Sequence, residues 1–330
     1  MKSFKPRQLL AALLATTLSM TTYASVPKEV RLDYAYYAPT SLVLKDRGIL
    51  EKRLAADGIA VKWVLSQGSN RSLEYLNGGS IDFASTAGLA AVLSRANGSP
   101  VKTVYIASRP EWTALAVPKD SSIKTLADLK GKKIAATKGT DPYLFLLRSL
   151  QTAGLDKGDV EIVHLQHPDG RVALERGDVD AWSGLDPHLA ASQLQASSRL
   201  LYRNVAFNSY GVLNVSETFL KEQPQLIGKV IAAYEEARQW AVAHPQQAAE
   251  LLAREAKLPL EVAKLQLSRT DFSNPQPGAE HVAALKAAAS ILLDEQLVRP
   301  GTDVAAVVDQ LISPQLAAGV IGQPLAKAEQ

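Results

Sequence analysis

The 330-residue chain carries 36 Lys and Arg against 33 Asp and Glu, and it has no cysteine. Absence of thiols excludes disulfides, thiolate metal sites and cysteine nucleophiles together. The basic excess sits at one end: Lys2, Lys5 and Arg7 precede an apolar run over residues 9–20, and the small residue Ala24 closes the stretch.

That pattern is expected of an export signal occupying residues 1–24, with an apolar run too short to span a bilayer. No cysteine follows it, so a lipoprotein anchor is excluded on chemical grounds. Without the three leader bases, 33 basic and 33 acidic residues remain. A balanced chain offers no broad basic footprint for nucleic acid or anionic lipid. An exported, periplasmic protein beginning near Ser25 is expected, long enough for two domains of ordinary size.

Short β-branched runs alternate with helical patterns through the first two thirds, the signature of α/β layers. "VRLDYAYY" (30–37) reads as a strand leading into a helix from about Thr40, and "VKWVLSQ" (61–67) as the next strand. "SNRSLEYLNGG" is a helix closed by glycine, and "IDFAST" returns to strand. "VKTVYIAS" and "WTALAVPKD" read as a strand pair. Thr125 and Asp128 have capping-box spacing ahead of "KKIAAT". A helix from Pro142, the strand "VEIVHLQ", the helix "DGRVALERG", the strand "VDAWSG" and the helix "DPHLAASQLQ" follow. Beyond Ser216, Ala-rich amphipathic helices take over, with a proline break after His244.

An internal echo relates the two halves. "RSLEYLNGGSIDFAST" and "DGRVALERGDVDAWSG" both run from a helix through glycine to Ile/Val-Asp and then Ser. Aligning Gly79 with Gly177 pairs Asp82 with Asp180 and Ser85 with Ser183, and hydrogen bonding within the fold is the expected use of these aspartates. Two similar lobes would set corresponding loops face to face. Open α/β sheets bind ligands beyond the carboxyl ends of their strands, which selects the loops at 37–41, 67–70, 85–88, 139–141 and 183–186. Hydroxyl, amide and glycine residues dominate them, with few of the general bases that covalent chemistry needs.

Other patterns carry less. His164 and His167 form His-x-x-His, but positions three apart on a strand face opposite ways; His167 is expected to end the strand, with Asp169 capping the next helix. Ser121 and Lys124 form Ser-x-x-Lys in a polar loop, without the partner motifs of the acyl enzymes. Walker, His-Glu-x-x-His and Gly-x-Ser-x-Gly motifs are missing.

The ordered strings "SLVLKDRGILEKRL", "LEYLNGGSIDFAST", "IKTLADLKGKKIAATKGT", "LLRSLQTAGL" and "ERGDVDAWSGLDPHLAA" resemble the substrate-binding proteins of bacterial ABC importers, in the aliphatic sulfonate, taurine and nitrate branch. The resemblance implies an α/β type II periplasmic-binding fold, two α/β lobes joined by two crossing segments. Here the crossings fall near residues 112–117 and 208–213. The first lobe then comprises 25–115 plus 212–330, and the second 116–211. It further implies a small sulfonate-like ligand, a membrane permease and ATPase as partners, a monomer, and no cofactor or metal.

The family's sulfonate-binding loops match Gln67, Ser69, Asn70, Thr86, Gly139 and Thr140 and the segment from Trp182 to Asp186. Tyr37, Glu111, Trp112 and Asp141 complete the expected contacts. Ser69 and Asn70 serve equally as a helix cap, Trp112 and Trp182 equally as core, and Glu111 equally as a partner of Arg109. Where typical sulfonate binders carry Gly-Ser-Ser, this chain has Gly139-Thr140-Asp141-Pro142. Proline at the first helical position makes Asp141 the expected N-cap. An acid there disfavours a second anion beside it and places a sulfonate nearer Ser69, Asn70 and Arg71. Asp141, Glu111 or Asp186 would then meet a cationic or hydroxyl end, as in an amino-sulfonate. The alternatives are a nitrate or thiamine-precursor ligand, or an enzyme of the pyrimidine-precursor synthase kind, which depends on a cysteine-rich motif that this chain lacks.

Overall fold

The computed structural model describes residues 27–322; the expected export signal lies outside the described residues. In chain order the elements are β1 (Glu29–Tyr34), α1 (Pro39–Asp46), α2 (Ile49–Leu54), β2 (Ala60–Leu65), α3 (Ser69–Asn77), β3 (Ala84–Ala87), α4 (Gly88–Ala96), β4 (Val101–Pro110) and β5 (Thr113–Val117). Then come β6 (Lys133–Ala136), α5 (Asp141–Thr152), β7 (Glu161–His164), α6 (His167–Arg176), β8 (Ala181–Leu185), α7 (His188–Gln195), β9 (Arg199–Tyr202) and β10 (Gly211–Ser216). The chain ends in α8 (Glu217–Glu222), α9 (Pro224–Ala243), α10 (Pro245–Ala256), α11 (Leu260–Ser268), β11 (Thr270–Asp271), α12 (Ala279–Asp294), α13 (Val304–Leu311) and α14 (Gln315–Ala318).

Two sheet systems divide the chain. In the first, β1 pairs with β2 in parallel and touches the segment before β3 through a Leu32–Phe83 bridge, and β3, β10, β4 and β11 continue in that order. In the second the order is β7-β6-β8-β5-β9. The run at 101–117 is therefore not a strand pair: β4 and β5 lie in different sheets, because the chain crosses from one lobe to the other at residues 111–112. It returns between β9 and β10. Residues 113–115, assigned by sequence to the first lobe, hydrogen-bond to β8 and β9 in the second sheet.

Corresponding positions of the echo do the same work. Asp82 Oδ2 accepts from the Arg31 amide at 2.8 Å, and Asp180 Oδ2 from the Lys133 amide at 2.8 Å. In return Arg31 O and Lys133 O accept from the amides of Asp82 and Asp180, each at 2.8 Å. Each aspartate thus fastens the segment entering a strand after a helix to an earlier strand of its own lobe, β1 for Asp82 and β6 for Asp180, the hydrogen-bonding role expected of them. Gly79 and Gly177 have φ of +67° and +78°, a conformation that glycine adopts without Cβ strain.

The C-terminal helices cover the first lobe. Ile227, Val230, Ile231, Tyr234 and Ala237 of α9 pack into a core shared with Leu42, Leu44, Leu50 and Leu54 of α1 and α2. Proline opens α9 and α10 within their first turns, where its missing N–H costs no helical bond. Between the lobes, α11 lies on α7: Val262 packs with Ala190 and Ala191, flanked by Leu258 and Leu265.

Candidate functional site

The crossing segments meet at one carboxylate. Asp141 is 1% exposed, and its side chain accepts from Trp112 Nε1 (2.9 Å), Ser209 N (2.8 Å) and Ser209 Oγ (2.7 Å). Trp112 belongs to the outgoing crossing and Ser209 to the returning one. Ser209 Oγ in turn accepts from the Leu89 amide in the first turn of α4. Asn208 adds a second clasp, its Oδ1 accepting from Thr113 N at 2.8 Å. Burial raises the Asp141 carboxyl above its ordinary range, opposed by the bonds from Ser209 and Trp112.

The sequence expectation for Asp141 is thereby corrected. Thr140 has the extended N-cap backbone and Asp141 is the first helical residue; its carboxylate is taken up by three donors on the crossings and not by the amides of Tyr143 and Leu144. Thr140 does not cap with its side chain either, since its hydroxyl donates to Thr137 O at 2.6 Å.

In the first lobe a second buried acid organises three loops. Asp33 Oδ2 accepts from Ser66 Oγ and Ser72 Oγ, both at 2.7 Å, and Oδ1 from the Ser85 amide at 2.7 Å. Burial pushes its carboxyl up to about 6 against those bonds. Asp33 therefore binds the end of β1 to the start of α3 and to β3, and its only sequence signal was an acid inside an apolar strand. Ser69 Oγ, 5% exposed, accepts from the Ala87 amide at 2.8 Å. Thr86 is held similarly, accepting from Asn214 Nδ2 at 2.7 Å and donating to Ala87 O.

Of the expected contacts, Tyr37, Thr86 and Trp112 line one small hollow and Tyr37, Gln67 and Asp186 line a second beside it, whereas Ser69, Asn70, Gly139 and Thr140 line neither. The smaller, about 10 Å³, is lined by Tyr37, Thr40, Ser85, Thr86, Ser108 and Trp112, room for roughly one water. Tyr37 donates to Ser85 O at 2.9 Å and meets the Trp112 ring edge-on at 6.0 Å. The larger, about 80 Å³, lies between the lobes, with Tyr36, Tyr37, Ser66 and Gln67 on one side and Leu185, Asp186 and His188 on the other. A roomier hollow of about 390 Å³, between α9, α10 and β11, lies on the outer face of the first lobe. It borders one lobe only, so the interlobe cavity is the better candidate for a site that closes on a ligand.

Beside the interlobe cavity the lobes touch at the starts of their helices. A Cβ placed on Gly68 would stand 2.9 Å from His167 Nε2 and 2.9 Å from Asn70 Oδ1; one on Gly139 would stand 3.5 Å from Asn70 Cβ. The start of α3 therefore faces those of α5 and α6, and none of these three has a side-chain cap. The first turn of a helix presents amide donors and a partial positive charge, suited to an anionic oxygen. His167 is the first residue of α6, and β7 ends three residues earlier at His164. The expectation that it ends the strand is corrected, as is the cap assigned to Asp169, because the N-cap falls at Gln166.

The partner expected of Glu111 is corrected, and of the two readings of Trp182 the core one holds. Glu111 neither pairs with Arg109 nor faces the cavity: Arg203 grips its carboxylate at 2.6 and 2.8 Å. Trp182, 1% exposed, is core of the second lobe, fitted between Gly170 and Gly184. A Cβ on those glycines would lie 2.6 and 2.9 Å from its indole.

Asp186 does face the cavity. Its amide donates to Trp112 O at 2.9 Å, and its carboxylate accepts from the Ala190 amide at 2.9 Å and from Arg269 of the first lobe at 3.3 Å. Burial pushes its carboxyl up to about 6, with Arg269 pulling the other way. Among the described residues no cluster of His, Cys, Asp and Glu has the arrangement of a metal site.

The family model "NMT1/THI5 like" matches residues 54–248, more than half of the chain. The chain belongs to the NMT1/THI5-like family. A relative from Escherichia coli K12, a putative aliphatic sulfonates-binding protein, is 31% identical over 90% of this chain and 95% of its own length. Among solved structures, the alkanesulfonate-binding protein SsuA from Xanthomonas axonopodis pv. citri, bound to MOPS, superposes with TM-score 0.79 at 26% identity, covering 88% of this chain and 99% of that one. A desulfurization enzyme, DSZB, shares the fold at 18% identity and TM-score 0.64, over 89% of this chain and 98% of its own. The NMT1/THI5-like chain has the two-lobed α/β fold of the periplasmic-binding proteins that it resembles.

Proposed function

We propose that this protein is the periplasmic solute-binding component of an ABC importer, closing its two lobes on a small aliphatic sulfonate and presenting it to a membrane permease and its ATPase. The observation that carries the reading is the meeting of uncapped helix starts from both lobes beside one interlobe cavity. Sulfonate oxygens accept from such amides, and the alkyl part lies against Tyr36, Tyr37, Leu65 and Leu185. The relatives' names agree with this class of ligand, including a taurine-binding periplasmic protein 25% identical over 57% of this chain.

The site is a binding site and not a catalytic one. Its carboxylates are engaged with fixed donors, Asp33 among them through the hydroxyls of Ser66 and Ser72, and the chain has no cysteine. Of the acids considered for a cationic or hydroxyl end of the ligand, Asp141 and Glu111 are bound elsewhere and Asp186 lines the cavity. No helix among the described residues is long and apolar enough to cross a membrane. Thermal unfolding of the mature chain tests the proposal. Short alkanesulfonates at a hundred times their dissociation constant should stabilise it by about 2.7 kcal/mol. Stabilisation by nitrate or a pyrimidine precursor, with none by any sulfonate, would overturn it.

A further inference from the structure

The imidazole of His167 carries an unanswered lone pair. Its ring is fully buried at the start of α6, and Nδ1 lies 3.1 Å from Thr137 Oγ1. That hydroxyl has one hydrogen and donates it to Leu165 O at 2.6 Å. Nδ1 must therefore carry the ring proton and donate to Thr137, which leaves Nε2 as a bare acceptor. Nε2 is buried, faces Gly68 at the start of α3 and has no hydrogen-bond partner among the described residues. Burial, then the neighbouring His188, lowers the ring's basicity to a pKa of about 3, so it stays neutral in ordinary buffers. Asn70 Oδ1, which flanks the same point of Gly68, is likewise a buried acceptor without a donor.

Two acceptors at a junction otherwise suited to an anion have a physical consequence. A plain alkanesulfonate brings oxygens only and leaves both lone pairs unmatched, and a buried unmatched group costs on the order of 1–3 kcal/mol. A ligand with an O–H or N–H near its sulfonate group answers one of them.

We propose that His167 is a specificity-determining ligand contact, its Nε2 accepting a hydrogen bond from a hydroxyl or amino group borne by the bound sulfonate. The inference rests on the sulfonate-binding reading above. It assigns the discrimination to a residue outside the expected set and narrows the ligand class to short sulfonates bearing a donor group.

Isothermal titration of the full mature protein with ethanesulfonate, 2-hydroxyethanesulfonate and taurine tests it. The donor-bearing ligands should bind roughly tenfold or more tightly than ethanesulfonate. In His167→Leu that ratio should fall to about one, while ethanesulfonate affinity holds or rises. His167→Gln, which returns an amide oxygen to the same region, should restore part of the ratio, and it serves should the leucine variant fail to fold. Titrations in two buffers of different ionisation enthalpy should show no proton uptake.

A wild-type ratio of one would overturn the inference and leave the sulfonate reading standing. It would mean that the Asn70 amide, turned over, supplies the donor itself. Uptake of a proton on binding ethanesulfonate, or a ratio unchanged in a folded leucine variant, would also overturn it. Failure of all three ligands to bind would overturn the sulfonate reading and this inference together.

Discussion

Asp141→Ala is expected to destabilise the protein by about 3 kcal/mol, read as a fall in the denaturant midpoint at unchanged slope. The substitution removes the shared acceptor of Trp112 Nε1, Ser209 N and Ser209 Oγ, and a buried donor left unmatched costs about 1–3 kcal/mol. The damage falls on both crossings at once, so lobe closure should suffer with stability. Asp141→Asn keeps one acceptor oxygen and should lose less. The sign of the pH effect follows from the raised carboxyl. The folded state holds the Asp141 proton more tightly than the unfolded chain does, so its contribution is full in acid and declines as pH rises through the folded value. Asparagine, which does not titrate, should remove that decline. An alanine variant within 1 kcal/mol of wild type would show that the crossings do not depend on this carboxylate.

Arg269→Met should produce the other large effect. Arg269 leaves the first lobe at the end of α11 and reaches Asp186 and Gln193 in the second, while its carbonyl accepts from the Glu111 amide at 2.7 Å. Asp186 is fully buried and the Arg269 side chain largely so, and removal of one partner from a buried pair costs about 3–5 kcal/mol. Asp186 already stands at about 6 with the guanidinium in place; without it the carboxyl rises further. A raised carboxyl is most stable protonated, so the deficit should be largest near pH 8 and shrink toward pH 5. Unfolding curves at the two pH values read this directly, and a deficit independent of pH would show that Asp186 does not ionise in the folded protein. Sulfonate affinity should fall too, since the Arg269 bonds to Asp186 and Gln193 join the lobes beside the packing of α11 on α7.

What the sequence made legible follows period and spacing. The echo of Gly79 with Gly177 and Asp82 with Asp180 predicted two similar lobes, and the structure gives both aspartates the same strand-fastening role. Period alone could not separate β4 from β5, because a strand that changes sheets has the same alternation as one that turns back. Two of the misassigned side chains share one cause: their partners lie far along the chain. Glu111 finds Arg203, and Asp141 finds Ser209; neither meets the near neighbour that local rules supply. Asp33 is not singled out by local pattern, and His167 reads only as a strand end; the partners of Asp33 also lie far along the chain. Each is a lone polar residue in an apolar or turn context, and only the packed lobes show what it faces.

The most direct measurement is a crystal structure of the mature protein with a short alkanesulfonate. The sulfonate group should lie between the first turn of α3 and those of α5 and α6, with its carbon chain against Tyr37 and Leu185. Density for it only in the outer hollow beside Arg238 and Phe272, with the junction at Gly68 unchanged and empty, would contradict capture between the lobes.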